Sequence, residues 1–285
     1  MSKFENKVDF VVMVSVTNAN PNGDPLNGNR PRSDYEGYGE MSDVCIKRKI
    51  RNRMQDMGKD IFVQTKDRCD DGAQSLKERF EKAFGKEKDK DKRAKMACEK
   101  WLDVRTFGQV FAFGKKDDSE KGISIGIRGP VSVHQSVSAN EVEINSMQIT
   151  KSVRGDIKAD KKQDTMGMKH FVRFGLYKIK GSVNVQLAEK TGFSTEDAEI
   201  LKECLRTLFV NDASSARPDG SMEVVKVYWW QHDCKDGRFS SAKIHRAVKV
   251  SLKDSSKLPT CVDDYNITLD LSDIDGFAPE EIEGV

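Results

Sequence analysis

Five asparagines and two arginines crowd the stretch NANPNGDPLNGNRPR, residues 18–32, and a run of cations follows it at Lys47, Arg48, Lys49, Arg51 and Arg53. These residue types suit one chemistry above others, the holding of a polyanion. Asn amides donate and accept, so they can bond phosphate, ribose hydroxyls or base edges. Arg30 and Arg32 add charge, Gly23 and Gly28 permit positive φ, and Pro21, Pro25 and Pro31 stiffen the path and lower its ordering cost. Lys47 and Arg51 are i, i+4 neighbours, Arg48 lies beside them, and long cationic side chains flanking a buried stripe can reach a phosphate chain. An Asx-turn loop that only braces its own backbone is the competing reading of the Asn residues.

Other chemistries find less support. None of the three Gly-Lys dipeptides continues into Ser or Thr, so there is no P-loop. Gly122-Ile123-Ser124-Ile125-Gly126 has the spacing of a nucleophile elbow, but alternating Ile123, Ile125 and Ile127 mark a strand. His232 and Cys234 form one loose pair, too few ligands for zinc. Asp24 and Asp34 flank the Asn-rich loop and keep metal-dependent RNA cleavage open as an alternative. No cofactor is expected.

The elements that must position these groups are partly readable. VDFVVMVSVT (8–17) is apolar on both faces and predicts a central strand, with the loop leaving its end to present groups to a ligand on the sheet. SDVCIKRKIRNRMQDMG (42–58) predicts a helix, capped by Ser42, with Ile46, Ile50, Met54 and Met57 as its buried stripe. Residues 64–103 predict inserted helices, with Leu76, Phe80 and Phe84 spaced by four and Met96, Trp101 and Leu102 resuming the pattern. Strands are expected at 109–113, 122–128, 130–138, 142–150, 171–187, 222–232 and, weakly, 245–252, and a second helix at 194–209. The order is that of a βαββαβ, ferredoxin-like α+β sheet, a layout shared with RNA-recognition modules. Residues 149–178 predict a long projecting hairpin with a basic middle, on which Met166 and Met168 either dock on the protein's own body or meet exposed bases as an apolar wedge.

Charge is unevenly placed. Residues 261–285 hold eight acids and no Lys or Arg, whereas 151–180 hold nine Lys/Arg against three Asp. Such blocks suit a polyanion partner and a possible contact between the acidic end and a neighbour's basic patch. The longest unbroken apolar run, Phe10–Val14, is too short to span a bilayer, and no secretory leader or CxxC pair is visible. The expectation is a cytoplasmic protein with reduced thiols and no membrane partner.

Taken together, VVMVSVTNANPNGDP with NRPR, SDVCIKRKIRNRM, WLDVRTFGQVFAFG and TMGMKHFVRFGLYKIKG resemble the repeated backbone subunit of type I-C Cascade, in the Cas7 family of CRISPR interference complexes. The resemblance covers about the first two thirds of the chain. It implies one domain over 1–285: a modified RRM or ferredoxin-like palm, a finger-like helical insertion at 60–125 and a projecting β-hairpin thumb within 135–175. It implies copies stacked head to tail along one crRNA, a target DNA strand paired to the guide in segments, other Cascade subunits as partners, and no catalysis by this subunit. Carried onto this chain, crRNA contacts fall at Asn18, Asn20, Asn22, Arg30, Arg32, Lys47, Arg48 and Arg51, with Met166, Met168, Lys169 and His170 on the thumb. Phe107, Gly108 and Gln109 match a motif whose role is either packing or contact.

Overall fold

Val8, Phe10, Val12, Val14 and Val16 face one side of a strand whose other side holds Val11 and Met13, and all are buried. This is β1 (Val8–Ala19), and the computed structural model, which describes residues 2–113, 123–150 and 166–285, builds the fold around it. In chain order follow β2 (Gly23–Asp24), β3 (Arg30–Pro31), β4 (Tyr38–Met41), α1 (Asp43–Asp56), α2 (Leu76–Phe84), α3 (Lys90–Lys100), α4 (Leu102–Phe107), β5 (Gly108–Phe113) and β6 (Ile123–Arg128). Then come β7 (Val131–Val133), β8 (Ser136–Glu141), β9 (Ile144–Thr150), β10 (Met166–Val183), α5 (Val185–Thr191), α6 (Thr195–Arg206) and β11 (Met222–Gln231). The chain closes with α7 (Ser241–Ala247), β12 (Val248–Leu252), β13 (Tyr265–Leu269) and β14 (Glu280–Glu283).

β1 pairs antiparallel with β10 on one side and β11 on the other, and the main sheet runs β14-β11-β1-β10-β8-β4, with β7 and β9 also on β10. The elements β1, α1, β8, β10, α6 and β11 therefore follow the strand-helix-strand-strand-helix-strand order that the sequence predicts. Both helices cover one face. Ile46, Ile50 and Met54 of α1 and Leu201, Cys204 and Leu205 of α6 pack with the even-numbered residues of β1. Ser42 caps α1, and Ser194 and Asp197 close a capping box on α6. Gly181 lies where a Cβ would stand 2.1 Å from the Phe10 ring, so only glycine lets β10 approach β1 there.

α2, α3, α4, β5 and β6, with Phe62 before them, contribute a second core of their own, with Phe62, Phe80, Phe84, Ala97, Trp101 and Phe111 among its buried members. Met96 points outward instead, because Ala97 and Cys98 fill the inward positions of α3. Asp103, fully buried, fastens this core to α1. Its carboxylate accepts from the backbone N–H of Phe62 at 2.6 Å and Val63 at 3.1 Å, and from Arg51 Nε at 2.9 Å.

The other face of the sheet differs from expectation. It is roofed by α7, by the β12–β13 hairpin and by the turn around Ile274, which pack on Val11, Met13, Leu176, Tyr228 and Trp230. A ligand laid across the centre of that face is thereby excluded. Two strand boundaries also need correction. Residues 245–247 complete α7, since Ser240 caps a helix that places Ile244 and Ala247 on the core. β10 ends at Val183, because the Asn184 side chain accepts from Leu187 N–H and starts α5. His232 is no metal ligand here: Nε2 bonds Asp9 at 2.9 Å, and Lys7 stands 3.2 Å from the same carboxylate. Ser124 lies on β6, as its alternating neighbours require. No helix among the described residues is long and apolar enough to cross a membrane.

Candidate nucleic-acid interface

The Asn-rich loop is held by its own amides. Asn18, exposed, adopts φ +50°, a left-handed conformation that Asn tolerates better than most side chains. The kink has a packing consequence: Phe174, opposite Thr17, joins the roofed core, whereas Val172, opposite Ala19, joins the helix-side core. Asn20 is buried; its Nδ2 donates to Asn29 carbonyl at 2.7 Å and its backbone N–H to Ala216 carbonyl at 2.9 Å. Asn22 Oδ1 accepts from Ser42. Arg32 stands 3.5 Å from Asp24 and remains partly exposed. The loop is thus a braced platform from which Leu26 projects almost fully exposed.

The cations of α1 are largely committed inside the molecule. Lys47 pairs with Asp43 at 2.9 Å, and Arg51 with Asp103, its guanidinium 4.9 Å from the Phe107 ring centre. Arg48 Nη2 donates to Val63 carbonyl at 2.8 Å; burial and then the adjacent Arg51 hold it below the usual arginine range. Lys49, nearly inaccessible, pairs with Asp212, which also takes Arg217 at 3.1 Å. The structure therefore separates Lys47, Arg48 and Arg51 from the loop arginines by their duties.

β9 and the outer part of β10 form an arm beside the loop. Met166 pairs with Thr150, Met168 with Gln148, Lys169 with Met147 and His170 with Ser146. Directly opposed residues share a face, so Met166, Met168, His170, Gln148 and Ser146 line one side and Lys169 and Met147 the other. Met166 is 65% exposed and Met168 55%. Arg30 closes the gap between loop and arm: Nη1 donates to Ser146 Oγ at 2.8 Å and lies 3.5 Å from His170 Nδ1, while His170 meets Ser146 at 2.8 Å. Arg30 thus joins the loop to the arm face that carries the exposed Met166 and Met168. The basic middle of the hairpin, 151–165, lies outside the described residues.

Sequence reasoning missed Ser146 and Arg217. Neither lies in a motif; only the pairing of distant segments brings Ser146 to Arg30 and Arg217 to the Asp212 carboxylate that also takes Lys49. The two flanking carboxylates serve turns. Asp24 accepts from Leu26 N–H, and Asp34 from the N–H groups of Glu36 and Tyr38. No group of three or more metal-ligating side chains occurs among the described residues.

The family model for CRISPR-associated protein Cas7 matches residues 6–270. A curated relative, the CRISPR-associated protein Cas7 of Haloferax volcanii, is 29% identical over 230 residues. That match covers 71% of this chain and 64% of the relative, so the chain spans just under two thirds of the relative's length. A chain of a solved CRISPR RNA-guided surveillance complex, pre-nicking, is similar at 14% identity with a TM-score of 0.49, covering 84% of this chain and 81% of that one. A second, from a CRISPR RNA-guided surveillance complex, stands at 16% identity and a TM-score of 0.47, covering 88% and 77%.

Proposed function

Because the chain belongs to the CRISPR-associated Cas7 family, we propose that it is the guide-RNA-binding backbone subunit of a type I-C Cascade. The sheet with α1 and α6 serves as an RRM-like palm, residues 60–125 as fingers and the β9–β10 arm as a thumb within 135–175. Copies stack head to tail into a filament along one crRNA, other Cascade subunits cap it, and target DNA pairs with the guide in segments. The subunit contacts the guide's backbone and leaves sequence reading to base pairing, as in other RNA-guided effectors. It works in the cytoplasm and cuts nothing itself.

The observation that carries this reading is the Arg30 bridge to Ser146 and His170. In this reading Arg30, the loop amides and the Met166–Met168 face line the guide cleft, because Arg30 ties the loop to that face of the arm. Arg30 and Arg32, whose partners Ser146 and Asp24 lie at the surface, and Lys169 on the other face of the arm are the cations offered to phosphate, with Asn18 supplying an exposed amide. Asn20, Asn22, Lys47, Arg48 and Arg51 act through shape, holding the platform and the palm together. The test is co-expression with a CRISPR array and purification of the Arg30→Glu/Arg32→Glu/Lys169→Glu variant. The expected result is a folded protein without bound RNA and without the large, guide-length-dependent mass of the wild type. Undiminished RNA content in that variant overturns the reading.

A further inference from the structure

The roof over the second sheet face is incomplete. Between β8 and the β12–β13 hairpin runs an open trough lined by Val137, Ser138, Ala139, Lys178, Lys180 and Val250, with Lys249 next in the chain. Lys178 and Lys180 share a face of β10, and strand geometry sets their Cα atoms about 6.8 Å apart. Lys178 Nζ donates to Val248 carbonyl at 2.6 Å, which fixes one end of the row. Among the described residues, none of Lys178, Lys180 and Lys249 has a carboxylate within ion-pair distance, in a chain where most buried cations have one. The surrounding groups are known. Glu40 lies opposite Val137 on β4, Asp270 feels Lys249 at longer range, and His245 feels Lys180. Burial first, then repulsion from Lys180 and Lys249, draws Lys178 down to about 8. Like charges gathered over an apolar floor without a counter-charge cost stability until an anion arrives.

We propose that this trough is a second nucleic-acid site, separate from the guide cleft, which takes the sugar–phosphate backbone of a single DNA strand. The spacing along β10 suits successive phosphates of a stretched strand. The donors, Lys178 and Lys180, are lysines, which bind phosphate as point charges without a fixed approach direction. Val137, Ala139 and Val250 offer sugars and bases an apolar floor. The trough lies between β8 and the β12–β13 hairpin and shares no residue with the junction of loop and arm at Arg30, Ser146 and His170, so guide and strand do not compete for the same groups.

The test uses the protein loaded with guide RNA and a fluorescent thymidine oligonucleotide that cannot pair with the guide. The K178Q/K180Q/K249Q variant is expected to bind it at least tenfold more weakly. The slope of log affinity against log salt is expected to flatten by about 1.4, from two lost phosphate contacts, Lys178 and Lys180, at about 0.7 each, Lys249 on the outward face of β12 adding only long-range charge. RNA content is expected to stay unchanged. Unaltered affinity and slope overturn the proposal, and so does stronger competition by polyglutamate than by DNA of equal charge, which assigns the trough to a protein partner. Should the triple variant fold poorly, K180Q alone is expected to flatten the slope by about 0.7, and no change there is equally fatal. If the wild type carries no RNA, the same titration on the bare chain, with Arg30→Ala/Arg32→Ala as control, tests the trough independently of the guide-binding reading.

Discussion

Asn22 Oδ1 accepts two hydrogen bonds from Ser42, one from its backbone N–H and one from its hydroxyl, each 2.9 Å. The loop is thereby tied to the cap of α1, and an amide that could serve a ligand serves the platform. Asn22→Ala leaves that half-buried donor pair without its acceptor. We expect a loss of about 1 kcal/mol in denaturant unfolding and RNA that washes off at lower salt. Unchanged stability with reduced RNA would instead make Asn22 a direct contact.

The α1 cations and the loop cations are expected to part ways. Asp103→Ala strands Arg51 and two backbone N–H groups in a dry site, at about 3–5 kcal/mol, measurable as a lowered denaturant midpoint. Arg30→Ala touches an exposed contact and is expected to change stability by less than about 0.5 kcal/mol while lowering retained RNA several-fold.

Met166→Ser with Met168→Ser tests the arm. Both side chains face solvent, so the unfolding midpoint is expected to hold. RNA retained through a salt wash is expected to fall, because the polar pair cannot wedge against bases. Equal retention would return the methionines to surface decoration.

Lys178 supplies a pH signature. Its folded value of about 8 lies below that of a free lysine, so between about pH 8 and 10 the unfolded chain binds more protons and stability from this group rises with pH. The penalty is fully present below pH 8. Lys178→Met is therefore expected to gain stability over wild type at pH 7, with the gap narrowing towards pH 10, as read from paired denaturant titrations.

Magnesium and labelled complementary RNA distinguish binding from cleavage. The assembled protein is expected to leave the RNA intact. Regularly spaced fragments that vanish in Asp24→Ala or Asp34→Ala would establish the ribonuclease alternative.

The readable parts of this molecule were those encoded locally. The alternation in β1, the Ile46–Ile50–Met54 stripe and the Ser42 and Ser194 caps each declare themselves within a few residues. The roof did not, because α7 needs the sheet beneath it to make sense of Ile244 and Ala247. The basic helix was only partly legible for a similar reason. Its residue types were plain, but Arg51 finds Asp103 52 positions away and Lys49 finds Asp212 163 away, so no local pattern separates a paired cation from an open one. Asn18, Arg30 and the arm methionines lay in legible motifs; Ser146 and Arg217 became visible only once strands and loops were brought together.

The last strand carries a consequence for how copies can join. Glu280, Glu281 and Glu283 of β14 border the sheet, answered by Lys202 and Lys226 within the same chain. Were two molecules to zip their borders together, rows of carboxylates would meet with their lysines already taken. Pairing of β14 with a second β14 is thereby disfavoured, so this border of the sheet resists joining another copy through a backbone ladder.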